Sequence, residues 1–417
     1  MLYKDWGELV ISLTTLYDAV FLFYFSTIMA HSSGSGLDHM LSLTSFGMVA
    51  LVFLYGILKR RKLRFDFVNT SMLLFLIVVC ASYLWAEYPS FVFSPKYSNI
   101  LSDGPQMMLV SLAISQRVKS KEDVIRFYKI FLIAVAYMLV TIVARTPVWY
   151  YTSGKRIGTV TGLWVNSLAQ IYAIVLAFLF YFLSTAPQRK KKYYLLFIVV
   201  LGLFTLLTGS KNGILMFVAI TLLTYFFHGN FTGKVKIIVL SAILGSLILF
   251  LIFNVQMLYD IIGYRMDTFI DVLLTGDLSQ DSSTNTRSEL MGFAWKMFKE
   301  RPLLGWGFAN VAAYVARQGY FIVTYAHSNY LELLADVGLV GTLIFYAPHI
   351  VTVCRLIKRV FMERKKDMLS CMALALMLVI LITDYASVNI TTIYYLSVIQ
   401  LLYYQTKYAF DDSGNKL

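Results

Sequence analysis

Charge and cysteine are scarce in this 417-residue chain, and each scarcity excludes a class of protein. Charged residues make up 14% of the sequence and hydrophobic ones 59%, with a mean hydropathy of +0.69, which excludes a soluble enzyme. The three cysteines, Cys80, Cys354 and Cys371, lie in or beside apolar segments without metal-type spacing, so no disulfide framework or cysteine metal site follows. No G-x-S-x-G elbow is present. The aspartates of the longest polar segment form no D-x-D or other compact ligand set, and no paired-carboxylate spacing can be read, so no metal and no cofactor is indicated. Internal repeats and low-complexity segments are also lacking.

What the chain does have is apolar stretches of roughly 18 to 22 residues, each enough to cross a hydrocarbon core of about 30 Å as a helix. They recur between short polar connectors and account for most of the sequence. The expectation is an all-α integral membrane protein, residues 1–417 forming a single polytopic membrane domain. About twelve transmembrane helices are expected, at 11–30, 38–58, 66–86, 97–116, 124–144, 164–184, 193–208, 212–228, 235–255, 328–353, 368–385 and 388–408. The N-terminal segment lacks a basic n-region and reads as a first span that stays. Every second connector is basic, at 59–64, 117–121, 189–192, 234–236 and 355–366, which by the positive-inside rule puts those connectors and both termini in the cytoplasm. The net charge of +13 is therefore mostly a topology signal and does not indicate a nucleic-acid partner.

One connector is exceptional, the long extracytoplasmic loop at 256–326. Loops of that length with their own structure are usually functional. Within it, TNTRSELMGFAWKMFKERPLLGWG predicts an amphipathic helix with a Thr286–Glu289 capping box, an apolar stripe of Leu290, Phe293, Met297 and Phe298, and a stop at Pro302. A second helix is expected at about 308–318.

Cations on the translocated side oppose the topology rule, which draws attention to Arg145, Lys155, Arg156, Lys211, Arg265, Arg287, Lys296, Lys299, Arg301 and Arg317; solvated loop charge is the plain alternative for any one of them. Lys211, in LLTGSKNGILMF between two closely joined spans, is expensive unless it faces a polar cavity or a partner. Ser210, Asn212 and Gly213 favour a turn opening a helix whose free N–H groups attract an anion. Arg287, following the Thr286 cap, falls in a first helical turn, where the dipole disfavours a cation and an anionic partner would remove the conflict. Of five histidines, only His327 lies where the long loop returns to the membrane. Capping of the tenth span by Ser328 or Asn329 places its imidazole at a helix N-terminus, where the neutral form is favoured and can accept a proton near pH 7. An imidazole that merely hydrogen-bonds at the interface is the alternative.

Together these residues resemble the O-antigen ligase and Wzy-type polymerase superfamily of bacterial envelope glycosyltransferases. The resemblance is strongest over 284–345, where an arginine, an amphipathic helix, P-L-L-G-W-G, histidine-serine-asparagine and G-L-V-G succeed one another. GTVTGLWVNSLAQ at 158–170 is similar to the family's G-T-x-x-N-x-N-x-L-A stretch, with Trp164 and Val165 before a single matching Asn166. TGSKNG is similar to its S-R-G turn, with Lys211 in place of arginine, which keeps the charge and loses the bidentate fork.

The resemblance implies a GT-C-like fold and metal-independent, inverting glycosyl transfer on the outer face of the bacterial cytoplasmic membrane. The donor is a glycan on undecaprenyl diphosphate and the acceptor another glycan, with a flippase and a chain-length regulator as possible protein partners. His327 would be the base; Arg287 and Lys211 would hold the diphosphate and stabilise it as leaving group, with Arg156, Arg265 and Arg317 as further anion contacts. Asp384 would orient a cation or the histidine, with Asn166 and Asn329 in support. Abundant Phe, Tyr, Ile and Lys hint at an AT-rich genome and a Gram-positive source, which favours a polymerase over a ligase acting on lipid A core. A transporter of the lipid-linked oligosaccharide is the alternative from another class, to be favoured by a central polar cavity remote from His327.

Overall fold

The structure, a computed structural model, describes residues 12–32, 36–93, 100–151, 153–229, 231–276, 282–319 and 324–409, and every regular element among them is helical. Among the described residues a helix overlaps each of the twelve expected segments. Among the described residues seven helices are long and apolar enough to cross a membrane, or eight if the pair bent by 95° at Val255 counts as one span. The others fall short for local reasons. Ile100–Arg117 opens on a polar turn and contains Pro105, Gln188–Leu207 opens on Arg189 and three lysines, and Met368–Thr383 and Ile393–Ala409 have only 16 and 17 residues. These helices pack into one apolar core in which Val165–Thr185 is buried along most of its length.

Hydrogen bonds between helix ends sort the connectors into two groups. At one end of the bundle Arg60 and Arg64 donate to the carbonyl oxygens of Gln116 and Val118, Arg64 also donates to the Tyr408 hydroxyl, and His228 bonds the Lys366 carbonyl. At the other end Ser32 N–H donates to Thr161 O, Ile157 N–H to Leu207 O and Glu87 N–H to Trp306 O. The basic connectors at 59–64, 117–121 and 355–366 thus lie at the end opposite the long loop.

The loop carries helices Tyr264–Thr275, Ser282–Glu300 and Asn310–Arg317. Leu290, Ala294 and Met297 of Ser282–Glu300 bury one face against Trp306, Val311 and Tyr314. Helix Ser282–Glu300 begins before Thr286, so Thr286 is not a cap and Arg287 lies in the second turn, outside the reach of the dipole penalty that the sequence suggested. Polar Ser282, Ser283 and Thr284 simply join the helix ahead of the expected start.

The loop is fastened to the bundle by an exchange of backbone hydrogen bonds. Asn329–Ile357 is broken at Gly338, whose φ of 65° and ψ of −168° are accessible essentially only to glycine. The break frees N–H and C=O groups, and the turn Pro302–Gly307 takes them up. Leu339 and Val340 N–H donate to the carbonyls of Pro302 and Leu303, while Trp306 and Gly307 N–H donate to those of Ala335 and Asp336. A Cβ on Gly338 would lie 2.3 Å from the Leu303 oxygen, and one on Gly305 2.5 Å from the Asp336 oxygen. The buried Asp336 carboxylate also accepts from Ala309 and Val311 N–H at 2.7 and 2.9 Å, capping helix Asn310–Arg317. P-L-L-G-W-G and G-L-V-G are thus two halves of one joint.

Gly338→Ala is expected to cost about 2 kcal/mol or more through strain and collision with Leu303. A thermal melt in detergent checks this, with Gly292→Ala, whose added methyl meets open space, as the variant expected to melt no lower than wild type.

Candidate active site: three pieces at the loop end of the bundle

The first piece is the turn Thr208–Lys211. Gly209 has φ +58°, and a Cβ there would stand 2.7 Å from the Ile261 carbonyl oxygen, so only glycine lets the segment before Arg265 approach. Two guanidiniums bind the turn. Arg156 Nε donates to Thr208 O at 2.6 Å, and Arg265 Nη1 donates to Gly209 O at 2.7 Å. Asn166 ties in the neighbouring segment, its Oδ1 accepting from Ser210 Oγ at 2.8 Å and from Arg156 Nη2 at 3.4 Å. Ser210 caps helix Lys211–His228 by accepting from Gly213 N–H, which makes half-buried Lys211 the first helical residue.

The second piece is Arg287. Counting back by helical spacing from Met297, Ala294 and Leu290, position 287 lies on the buried face of its helix, so the apolar stripe ends in a half-buried cation.

The third piece is His327, in the left-handed region at φ +57° immediately before the Ser328 cap. Its backbone is clamped on both sides. Ala326 N–H donates to the buried Glu332 carboxylate at 2.5 Å, and Asn329 N–H donates to the carbonyls of Asp384 and Ser387 at 2.7 and 2.9 Å. The imidazole ring lies 4.3 Å from that of Tyr325 and hydrogen-bonds to none of the described residues.

Electrostatics link the pieces. Burial, then the charges of Arg265 and Arg287, pull Arg156 down to about 10. Burial, then Arg287, lowers His327 to about 4. Arg287 is therefore felt both at the turn and at the histidine. His327 is neutral near pH 7, as the sequence suggested, but burial and a neighbouring guanidinium cause this, where the reading from sequence invoked a helix dipole. The arrangement can hold an anion among Arg156, Arg265 and Arg287 beside a neutral imidazole able to take a proton.

Not every candidate converges. Arg317 lies with its guanidinium 4.3 Å from the centre of the Tyr88 ring. Arg145 pairs with Asp38 beside His31, Arg301 with Glu87, and Lys155 sits over Trp149 and Tyr150. Asp384 is fully buried and contacts neither a cation nor the imidazole among the described residues. Its carboxylate accepts from Tyr346 and Tyr395 hydroxyls at 2.9 and 2.6 Å and from Asn389 and Asn329 amides at 3.2 and 3.4 Å, and it supports His327 through the backbone of Asn329. His349 sits buried within helix Asn329–Ile357 against Tyr395. Sequence reasoning missed Glu332; a carboxylate in the first turn of an otherwise apolar span was the available signal.

Residues 196–346 match the family model described as O-Antigen ligase. That match supports the O-antigen ligase and Wzy-type superfamily. The matched region holds Lys211, Arg265, Arg287, His327 and both halves of the Gly338 joint, while Arg156, Asn166 and Asp384 fall outside it. No curated protein matches the chain. With the apolar helices, the match supports a multi-pass membrane protein of a glycan-transferring, glycosyltransferase-like family.

Removing Glu332 leaves the buried Ala326 N–H without its acceptor, at a cost of about 1–3 kcal/mol. Glu332→Ala is expected to lower the melting midpoint accordingly, and Glu332→Gln, whose amide oxygen still accepts, to recover most of the loss.

Proposed function

We propose that this protein is a Wzy-type polysaccharide polymerase. It transfers a glycan from undecaprenyl diphosphate to the sugar end of a second lipid-linked repeat unit, with inversion and without a metal, at the outer face of the bacterial cytoplasmic membrane. The observation that carries the reading is the family-model match over residues 196–346, which holds Lys211, Arg265, Arg287 and His327, with Arg156 and Arg265 both donating to the turn before Lys211. His327 takes the proton of the acceptor hydroxyl as that oxygen attacks the anomeric carbon. The bond from that carbon to the diphosphate breaks, and the electron pair leaves with the diphosphate, stabilised by Arg287, Arg156, Arg265 and Lys211. Arg317 is an outer anion contact only if the donor extends towards Tyr88. Asp384, Asn329 and Glu332 hold the histidine, and Asn166 holds the turn. The reading includes twelve spans, cytoplasmic termini and an outer site, and it is supported by basic connectors at the opposite end of the bundle.

The ligase reading keeps the same donor chemistry and changes the acceptor to an envelope glycan such as lipid A core. Transport is less well supported. A small cavity between helices is lined mainly by apolar residues such as Val68, Phe75, Met107 and Phe345 together with His349, and includes none of the site's cations.

Purified protein in detergent, given its lipid-diphosphate repeat unit alone with EDTA present, is expected to make a ladder of longer lipid-linked glycans, and His327→Ala to make none while still inserting into the membrane. Product that appears only with a different acceptor would favour the ligase, and no product with any acceptor would favour transport. Lys211→Ala is expected to raise KM for the donor more than it lowers kcat.

The acid limb of the pH profile follows from the lowered imidazole. His327 must be neutral, so activity is present above its pKa and lost as pH falls through it. In kcat/KM, which reports the free protein, the loss is expected near pH 4. A bound diphosphate offsets Arg287 and raises the imidazole towards its ordinary value, so the limb in kcat moves to higher pH. Coincident limbs would show that donor charge does not act on His327.

A further inference from the structure

Trp164 stands at the cap position of helix Val165–Thr185, where it forms no side-chain capping bond and is 81% exposed. Asn, Ser or Asp at such a position typically stabilises a helix by about 1 kcal/mol, and an exposed indole forgoes that. The backbone before it is held by a hydrogen-bonded turn. Gly158 and Gly162 have φ of +123° and +84°, the turn closes through Thr161 N–H to Gly158 O and Gly162 N–H to Thr159 O, and Thr161 O is held by Ser32 N–H. Two residues on, Asn166 bonds Ser210 and faces Arg156 in the cation cluster. At the same end of the bundle the face of Trp149 is covered by Lys155, whereas no ring or cation among the described residues covers Trp164. An exposed aromatic ring thus stands two residues before an asparagine that is bonded into the cation cluster.

We propose that Trp164 is a specificity-determining residue that stacks on a sugar ring of the lipid-linked glycan while the neighbouring cations take its diphosphate. This rests on the glycan-transfer reading. The two parts of the ligand differ in chemistry as the two parts of the site do. The diphosphate is anionic, and one face of a pyranose presents C–H groups that pack on an aromatic plane. The competing role for an exposed tryptophan at this depth is an interfacial anchor, which would be indifferent to sugar.

The test compares binding of two probes, undecaprenyl diphosphate and undecaprenyl diphosphate carrying a single hexose, to full-length protein in nanodiscs. Trp164→Leu is expected to weaken the sugar-bearing lipid by roughly three- to tenfold and to leave the bare lipid unchanged. Trp149→Leu is expected to change neither. Trp164→Asn, which restores a cap, is expected to melt no lower than wild type and still to lose the sugar-dependent part of the affinity, so a folding defect cannot produce the result. Equal loss for both lipids, or none for either, overturns the proposal in favour of an anchor. Wild-type protein that binds neither lipid overturns the donor reading itself, and this inference with it.

Discussion

The break at Gly338 is the constraint on which the rest depends. A helix inside a bilayer cannot leave backbone groups unpaired, because the surrounding hydrocarbon offers no partners. The break is therefore tolerable only where another segment supplies the missing donors and acceptors, and Pro302–Gly307 does so with two bonds in each direction. The loop is thus joined to the bundle by main chain, through glycines whose lack of a side chain lets the two segments meet. The same joint sets Asp336 against the start of helix Asn310–Arg317, and the packing of Trp306 and Tyr314 then fixes helix Ser282–Glu300 with Arg287 on its covered face.

His327 is placed by a separate device. A left-handed backbone at a non-glycine residue persists only when its surroundings over-determine it. Here Glu332 fixes the residue before and the Asp384 and Ser387 carbonyls fix the residue after. The Asp384 carboxylate, saturated by two tyrosines and two asparagines, anchors the loop that supplies those carbonyls. Arg156 and Arg265 are placed by a third device, a glycine turn whose carbonyls bind guanidiniums. The three devices share no side chain among the contacts described above, and they meet through the field of Arg287.

What could be read from residues was whatever rests on local pattern. Apolar runs located the helices, alternation of basic connectors agreed with the sorting of helix ends, Ser328 or Asn329 was legible as the cap of the tenth span, and the turn at Ser210 was legible as a helix start, because both rest on short-range bonds. Where a long-range bond decides, reading failed. Nothing in the text around Thr286 shows that Ser282 joins the helix, nothing around Asp384 shows that two tyrosines saturate it, and the reciprocal fit of Gly305 and Gly338 joins positions 33 residues apart, a separation at which local pattern carries no information. Arg317 looked equivalent to Arg265 because both are loop arginines, and their different partners, Tyr88 and Gly209, are set by packing.

The clustering of Arg156 with Arg265 and Arg287 has a thermodynamic corollary. Burial and like charge both act against Arg156 in the ligand-free protein, so an anion that settles among these groups relieves a penalty present only in the folded state. Whatever binds the folded chain and ignores the unfolded one raises its apparent heat resistance in proportion to the logarithm of its concentration. Anion occupancy and resistance to heat are therefore coupled at this site, and a preparation stripped of the bound anion differs from an occupied one in durability.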